Sequence, residues 1–193
     1  FDPSGKHLAT ASFDNTVRVW DAATGQSLEF AARHGDQLRD VAFSPDGSHL
    51  ATACADGHAR LYRWNDPGAG PDPVLLPKVR AKKFSQVMAV AFHPDDSMLL
   101  TVSSEGSLRR WSRAGEELGE ILLDGVRFGD VAITRDGGTV AALAPRMLYL
   151  WPYADLVRSA ANSQKAIRLP RNTYCYSVAF SPDGRQVAVA CTD

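Results

Sequence analysis

Apolar and polar positions alternate along this chain in short runs, about ten residues from one run to the next, and turn residues separate them. His7–Ser12 reads as a strand between two turns, Pro3-Ser4-Gly5-Lys6 and Phe13-Asp14-Asn15. Proline fixes φ at such turns, while glycine and asparagine accept positive φ. Thr16-Val17-Arg18-Val19-Trp20 is β-branched and aromatic, the composition of a strand. Its Val17 and Val19 point one way, Arg18 and Trp20 the other. Large groups on both faces suit a sheet packed between two neighbours. Ala23-Thr24-Gly25-Gln26 turns the chain again, Ser27–Ala31 is a fourth strand candidate, and Leu38–Phe43 opens the next unit. No long helical period interrupts this spacing. The pattern predicts an all-β chain of antiparallel meanders.

The unit repeats. FDPSGKHLATA begins at residue 1, FSPDGSHLATA at 43, FHPDDSMLLTV at 92, ITRDGGTVAAL at 133 and FSPDGRQVAVA at 180. The starts are 42, 49, 41 and 47 residues apart. A period near forty marks stacked four-stranded units, none of which can bury its apolar faces alone. Residues 1–193 therefore read as a single repeat domain of about four and a half units, entered and left at nearly the same phase. It is expected to be part of a longer chain. Strands such as Leu50-Ala51-Thr52-Ala53-Cys54 are built from small residues, which lets neighbouring sheets approach closely. A Pro/Gly-rich loop over 65–75 and a helical turn around Ala154–Ala161 are expected inside the second and fourth units.

These residues resemble the WD-repeat β-propeller family. Val17-Arg18-Val19-Trp20-Asp21 ends with the family's Trp-Asp pair, Asp14 occupies the turn place, and His34 lies nine residues ahead of Phe43, where the family has the His of its Gly-His dipeptide. The resemblance implies a ring of four-stranded antiparallel blades, incomplete in this chain. It also implies hydrogen bonds joining that His, the turn Asp, a strand Ser or Thr and the strand Trp, because buried polar groups must be paired. Mapped by position, the first repeat supplies Ser12, Asp14 and Trp20. The second supplies His34 and Asp56, with Cys54 for Ser and Tyr62 for Trp. The third supplies Ser103, Glu105 and Trp111, with Lys83 at the His place. The fourth keeps Trp151 alone, and the fifth has Arg171, Cys191 and Asp193. No repeat holds a full set.

Composition removes several function classes. With 21 Lys+Arg against 22 Asp+Glu the net charge is −1, so there is no basic stripe for nucleic acid. Thr139–Trp151, the longest mainly apolar stretch, is broken by Pro145 and Arg146 and is too short to span a bilayer. The single basic cluster, Lys78–Phe84, reads as a solvated strand and loop. Cys54, Cys175 and Cys191 fit no zinc spacing. Cys54 and Cys191 share one place in their repeats, so they read as small buried side chains rather than a redox pair, in a reducing, cytoplasmic setting.

No catalytic constellation, metal site or cofactor loop is expected. His7, His34, His49, His58 and His93 have no paired ligand spacing. Asp46, Asp95, Asp136 and Asp183 recur in separate turns, where a turn-forming role outweighs a shared calcium ion.

The resemblance implies instead a partner-binding face, made by the loops before each first strand and the turns between second and third strands. Phe13, Gln37, Phe84, Gln86, Arg127, Asn172 and Tyr174 map there, and aromatic and Arg residues are the usual interface anchors. The expectation is a non-catalytic scaffold for a protein partner, possible forms being the sensor or partner-binding region of a larger signalling protein. The remainder of the same ring, or other domains of a longer chain, would lie beside it. The Ala-rich repeats read as bacterial. A propeller enzyme with a loop-borne site and a purely architectural array are the alternatives.

Overall fold

The computed structural model describes residues 1–64, 74–76, 85–95, 97–158, 163–170 and 174–192. Among these residues five antiparallel sheets follow one another along the chain, each adding its strands in sequence order. The first holds β1 (His7–Ala11), β2 (Thr16–Asp21) and β3 (Ser27–Arg33). The second holds β4 (Leu38–Phe43), β5 (His49–Cys54), β6 (Ala59–Arg63) and β7 (Val74–Leu75). The third is β8 (Val87–Phe92), β9 (Met98–Ser103), β10 (Ser107–Ser112) and β11 (Glu117–Leu122). The fourth is β12 (Asp130–Ile133), β13 (Thr139–Ala144), β14 (Met147–Pro152) and β15 (Lys165–Arg168), and the fifth β16 (Cys175–Phe180) and β17 (Val187–Cys191). Phe1 is exposed and outside any strand.

The sheets stack through their first strands: β4 lies against β8, β8 against β12 and β12 against β16, while β1 lies against β4. This is the blade packing of an incomplete propeller. Each seam has its own core. Val17, Val19, Leu38, Leu50 and Tyr62 fill the first, and Ala51, Ala53, Leu61, Val90, Leu99 and Trp111 the second. Met98, Leu100, Val102, Phe128, Val140, Trp151 and Leu156 fill the third, and Ala141, Leu143, Leu148 and Val178 the fourth. The alanines let the sheets approach, as the small-residue strands require. In β2 only Val17 and Val19 are fully covered, whereas Arg18 is exposed and Trp20 half-buried.

Carboxylates tie adjacent blades at their first strands. Asp40 Oδ2 accepts the Val90 N–H at 2.9 Å, and Asp130 Oδ2 accepts the Val178 N–H at 2.8 Å. At the opposite end of each blade the repeated turn closes on itself. Ser44, Thr134 and Ser181 each donate a hydroxyl to the Asp two residues on, at 2.6 Å, and each Asp also accepts the N–H two residues after it. These aspartates are turn formers, and among the described residues no cluster of three His, Cys, Asp or Glu could hold a metal. His93 takes the Ser place in the third blade. Its Nδ1 meets Asp95 Oδ1 at 2.6 Å, its Nε2 meets the Gly137 carbonyl of the next blade at 3.2 Å, and the Tyr153 ring lies tilted against it, centroids 4.3 Å apart. Gly137, at φ 74°, has no room for a Cβ beside that ring.

One expectation is met and another corrected. The expected helical turn is the helix α1, Tyr153–Val157, which places Leu156 in the third core, while 159–161 fall outside the described residues. Cys175 and Cys191 stand directly opposite each other in β16 and β17 and form a disulfide. A register shift between Cys175 and Ser177 creates that pairing. In the second blade the residue opposite Cys54 is Leu38, so Cys54 stays a buried thiol, donating to the Asp36 carbonyl at 3.2 Å. Cys191 is thus one half of a cross-link and exposed, not a lone buried side chain. Among the described residues no helix is long and apolar enough to cross a membrane.

Candidate functional site

The internal polar network uses threonines that the sequence reading passed over. Trp20 Nε1 donates to Thr10 Oγ1 at 2.8 Å, and Trp111 Nε1 to Thr101 Oγ1 at 2.9 Å. Ser12 and Ser103, the expected partners, lie two residues further along. Trp20 pairs with Leu8 across the sheet, so Thr10 is its diagonal neighbour on the same face. Ser12 is already at the turn, where its hydroxyl accepts the Asp14 N–H at 3.2 Å. Asp14 in turn accepts the Thr16 N–H at 2.9 Å and the Thr16 hydroxyl at 2.6 Å, which hold its carboxyl below the usual range. The network of Trp20 therefore contains neither Ser12 nor Asp14. Likewise Ser103 bonds Ser107 at 2.9 Å and accepts the Glu105 N–H at 3.3 Å, leaving Trp111 to Thr101.

The second blade carries the fullest version. His34 Nε2 lies 3.0 Å from Thr52 Oγ1 and 3.1 Å from the Tyr62 hydroxyl, all three buried. Burial, with the Arg60 charge, lowers the His34 pKa to about 4, against the opposing pull of Asp56. Burial likewise pushes Tyr62 to about 12. Asp56 bonds Arg60 at 2.7 Å and the His58 N–H at 2.9 Å, so it acts on His34 through its charge. In the fourth blade Trp151 is fully buried, and its indole N–H has no partner. Residue 142, the threonine place, is Ala there.

These bonds hold up a rim. Within a blade, the loop before the first strand is bonded to the end of the second strand or the residues just after it: Gln37 to Ala55, Gln86 to Ser104, Gly129 to Leu143 and Tyr174 to Thr192. Between blades, Leu38 N–H donates to Ser12, Phe128 N–H to Ser103 and Cys175 N–H to Pro145. Phe13, Gln37, Gln86, Arg127 and Tyr174 all lie on loops of this rim, whereas Phe84 and Asn172 fall outside the described residues, as does the basic cluster.

The rim also presents residues that sequence reasoning missed. Bulges in three first strands leave Arg39, Met88 and Tyr176 without a cross-strand partner in the register. The Arg39 guanidinium lies 5.1 Å over the ring of Phe13 and donates to Gln86 Oε1 at 3.2 Å, linking three blades. Arg146 lies 5.7 Å over the ring of Tyr174 in the same way. Phe13 is 65% exposed, Tyr174 53% and Tyr176 64%, so their apolar faces are open to a partner. The local signal for Arg39 is a polar residue beside Asp40 in an otherwise apolar strand.

The repeat pattern of the family described as "WD domain, G-beta repeat" matches residues 1–21, 26–63, 77–112 and 165–193, well over half of the chain. The chain belongs to the WD-repeat family. The stretch between 112 and 165, which the pattern passes over, holds the blade in which the network places for threonine, His and Asp carry other residues. Over 67 residues this WD-repeat chain is 46% identical to coronin-7 of Homo sapiens, covering 35% of the chain and 7% of that protein. Over 39 residues it is 51% identical to the nuclear distribution protein PAC1 of Fusarium vanettenii, covering 20% of the chain and 9% of that protein. The chain thus spans less than a tenth of either relative. WD-repeat proteins generally serve as non-enzymatic interaction scaffolds that bind other proteins.

Proposed function

We propose that the rim bearing Phe13, Gln37, Gln86, Arg127 and Tyr174 docks a protein partner, the chain serving as the partner-binding region of a larger signalling protein. One observation carries this reading: exposed aromatic rings and guanidinium groups from separate blades stand on loops that backbone hydrogen bonds fix to one another. A frame ordered before binding loses little conformational entropy on docking. Aromatic and Arg side chains on such a frame are the residue types that dominate interface energies. The mechanism is display rather than chemistry.

The test is affinity capture from the native host by the whole protein. Arg127 and Tyr174 are changed to Ala in one variant, and Arg185, exposed at the opposite end of blade five, in another. Loss of capture by the first and retention by the second supports the reading. The reverse pattern places docking on the other face.

A further inference from the structure

We propose that Arg39 is the anchor for the carboxylate of an acidic residue, Asp or Glu, in the docked partner segment; this rests on the rim reading above. Arg39 is the bulged residue of β4, displaced from the ladder and turned to the rim, where it meets groups from the blades on either side. Its guanidinium carbon lies over the ring of Phe13, and one Nη2 N–H is fixed by the Gln86 oxygen. Its Nε is buried and has no partner. Among the described residues no carboxylate forms an ion pair with Arg39.

The neighbouring acids are already engaged. Asp14 is held by Thr16, Asp36 accepts the Gln37 N–H at 2.7 Å, and Asp56 is paired with Arg60 at 2.7 Å. Asp40, next in sequence, points away to Val90. The guanidinium is therefore partly desolvated, oriented by a ring and an amide, and lacks a counter-charge among the described residues. An incoming carboxylate would supply that charge and accept charge-assisted hydrogen bonds from a fork that is already in place. Stacking on Phe13 reduces the ordering needed on binding, and the ring itself offers an apolar shelf to the acidic residue's neighbours. The match is to a single negative charge. A phosphate brings about two negative charges and three acceptor oxygens, for which clusters of arginines are the usual partner, whereas Arg39 offers one guanidinium with a donor already used.

The test uses an array of twelve-residue peptides of random flanks, each centred on Glu, Asp, Gln, Leu or phosphoserine. It is probed with the full chain, the Arg39→Gln, Arg39→Lys and Phe13→Ala variants, and Arg18→Gln as an exposed control on the outer part of blade one. Thermal melts confirm that each variant folds. The expected result is at least a tenfold preference of the wild type for Glu or Asp over Gln at the centre. That preference should vanish in Arg39→Gln, weaken in Arg39→Lys and Phe13→Ala, and persist in Arg18→Gln. If Gln-centred peptides bind the wild type as well as acidic ones, or Arg39→Gln keeps the preference, the carboxylate anchor is wrong even where Arg127 and Tyr174 still matter. Phosphoserine peptides binding tenfold better than Glu also overturns it. Binding that is insensitive to every rim variant overturns the rim reading itself.

Discussion

Trp151 and Ala142 share one buried core, and the indole N–H of Trp151 has no hydrogen-bond partner because Ala142 occupies the place where Thr10, Thr52 and Thr101 stand in earlier blades. A buried, unpaired donor costs about 1–3 kcal/mol, whereas the corresponding bond of Trp111 to Thr101 contributes a net of about 1 kcal/mol. Two blades with the same fold thus differ in one polar pair. Ala142→Ser supplies the missing acceptor with one added atom and is expected to raise stability by about 1 kcal/mol in urea unfolding. Ala142→Thr is a poorer test, because two more atoms overfill a site with no free space.

Trp→Phe substitutions read the same relationship from the other side. Both indoles are fully buried, so loss of ring size is common to both changes. Trp111→Phe also strands the Thr101 hydroxyl, while Trp151→Phe removes a donor that is already unpaired. Trp111→Phe is expected to cost about 1–2 kcal/mol more than Trp151→Phe. Equal losses in parallel urea titrations would mean that the indole bond contributes nothing net.

The blades were legible because period-two alternation and Pro-Asp-Gly turns are local signals. The network was only half legible. Ser12 and Thr10 lie on the same face two residues apart, and only the pairing of Trp20 with Leu8 selects Thr10. Residue spacing names the face; register names the partner. The disulfide was hidden for a similar reason, since the shift between Cys175 and Ser177 brings Cys175 opposite Cys191. Arg39 was hidden by its own strand: in Leu38-Arg39-Asp40-Val41 a bulge cannot be seen without the partner strand.

Two buried groups pull stability in opposite directions with pH. His34 has its pKa lowered from 6.5 to about 4, so between those values the unfolded chain binds more protons. Its contribution is complete above pH 6.5 and is lost as pH falls toward 4. Asp40 has its pKa raised from 3.8 to about 6 by burial, with Asp130 adding to the rise and the Val90 and Val41 N–H groups opposing it. There the folded chain binds more protons, so its contribution is complete below pH 3.8 and is lost as pH rises through 6. Between pH 4 and 6 the two slopes largely cancel. His34→Gln is expected to leave a stability that falls with pH across this window, and Asp40→Asn one that rises more steeply than wild type. Urea midpoints at pH 4.5, 5.2 and 6.0 decide it; identical slopes in the two variants would refute the assignment.

The cysteine arrangement has a direct chemical readout. With Cys175 and Cys191 joined and Cys54 buried, the unfolded but unreduced chain should offer one thiol to iodoacetamide, at Cys54. A non-reduced digest should contain a 175–191 cross-linked peptide. Three alkylated cysteines in protein purified without reductant would remove the disulfide and restore the reading of Cys191 as an unpaired thiol.

Arg127 and Tyr174 separate binding from folding. Both are exposed side chains on rim loops of blades four and five, and neither belongs to the four inter-blade cores. Truncating them creates no cavity, so the double Ala variant is expected to unfold within about 0.5 kcal/mol of wild type. Against the captured partner it should lose about 1–3 kcal/mol of affinity, because truncated aromatic and Arg anchors leave the partner's groups unpaired. The comparison that matters is with Val178, which fills the fourth core. Val178→Ala should lower stability by about 1–2 kcal/mol and weaken binding only through loss of folded protein. If Val178→Ala and the Arg127/Tyr174 variant lose affinity in the same proportion to their loss of stability, the rim has no recognition role of its own.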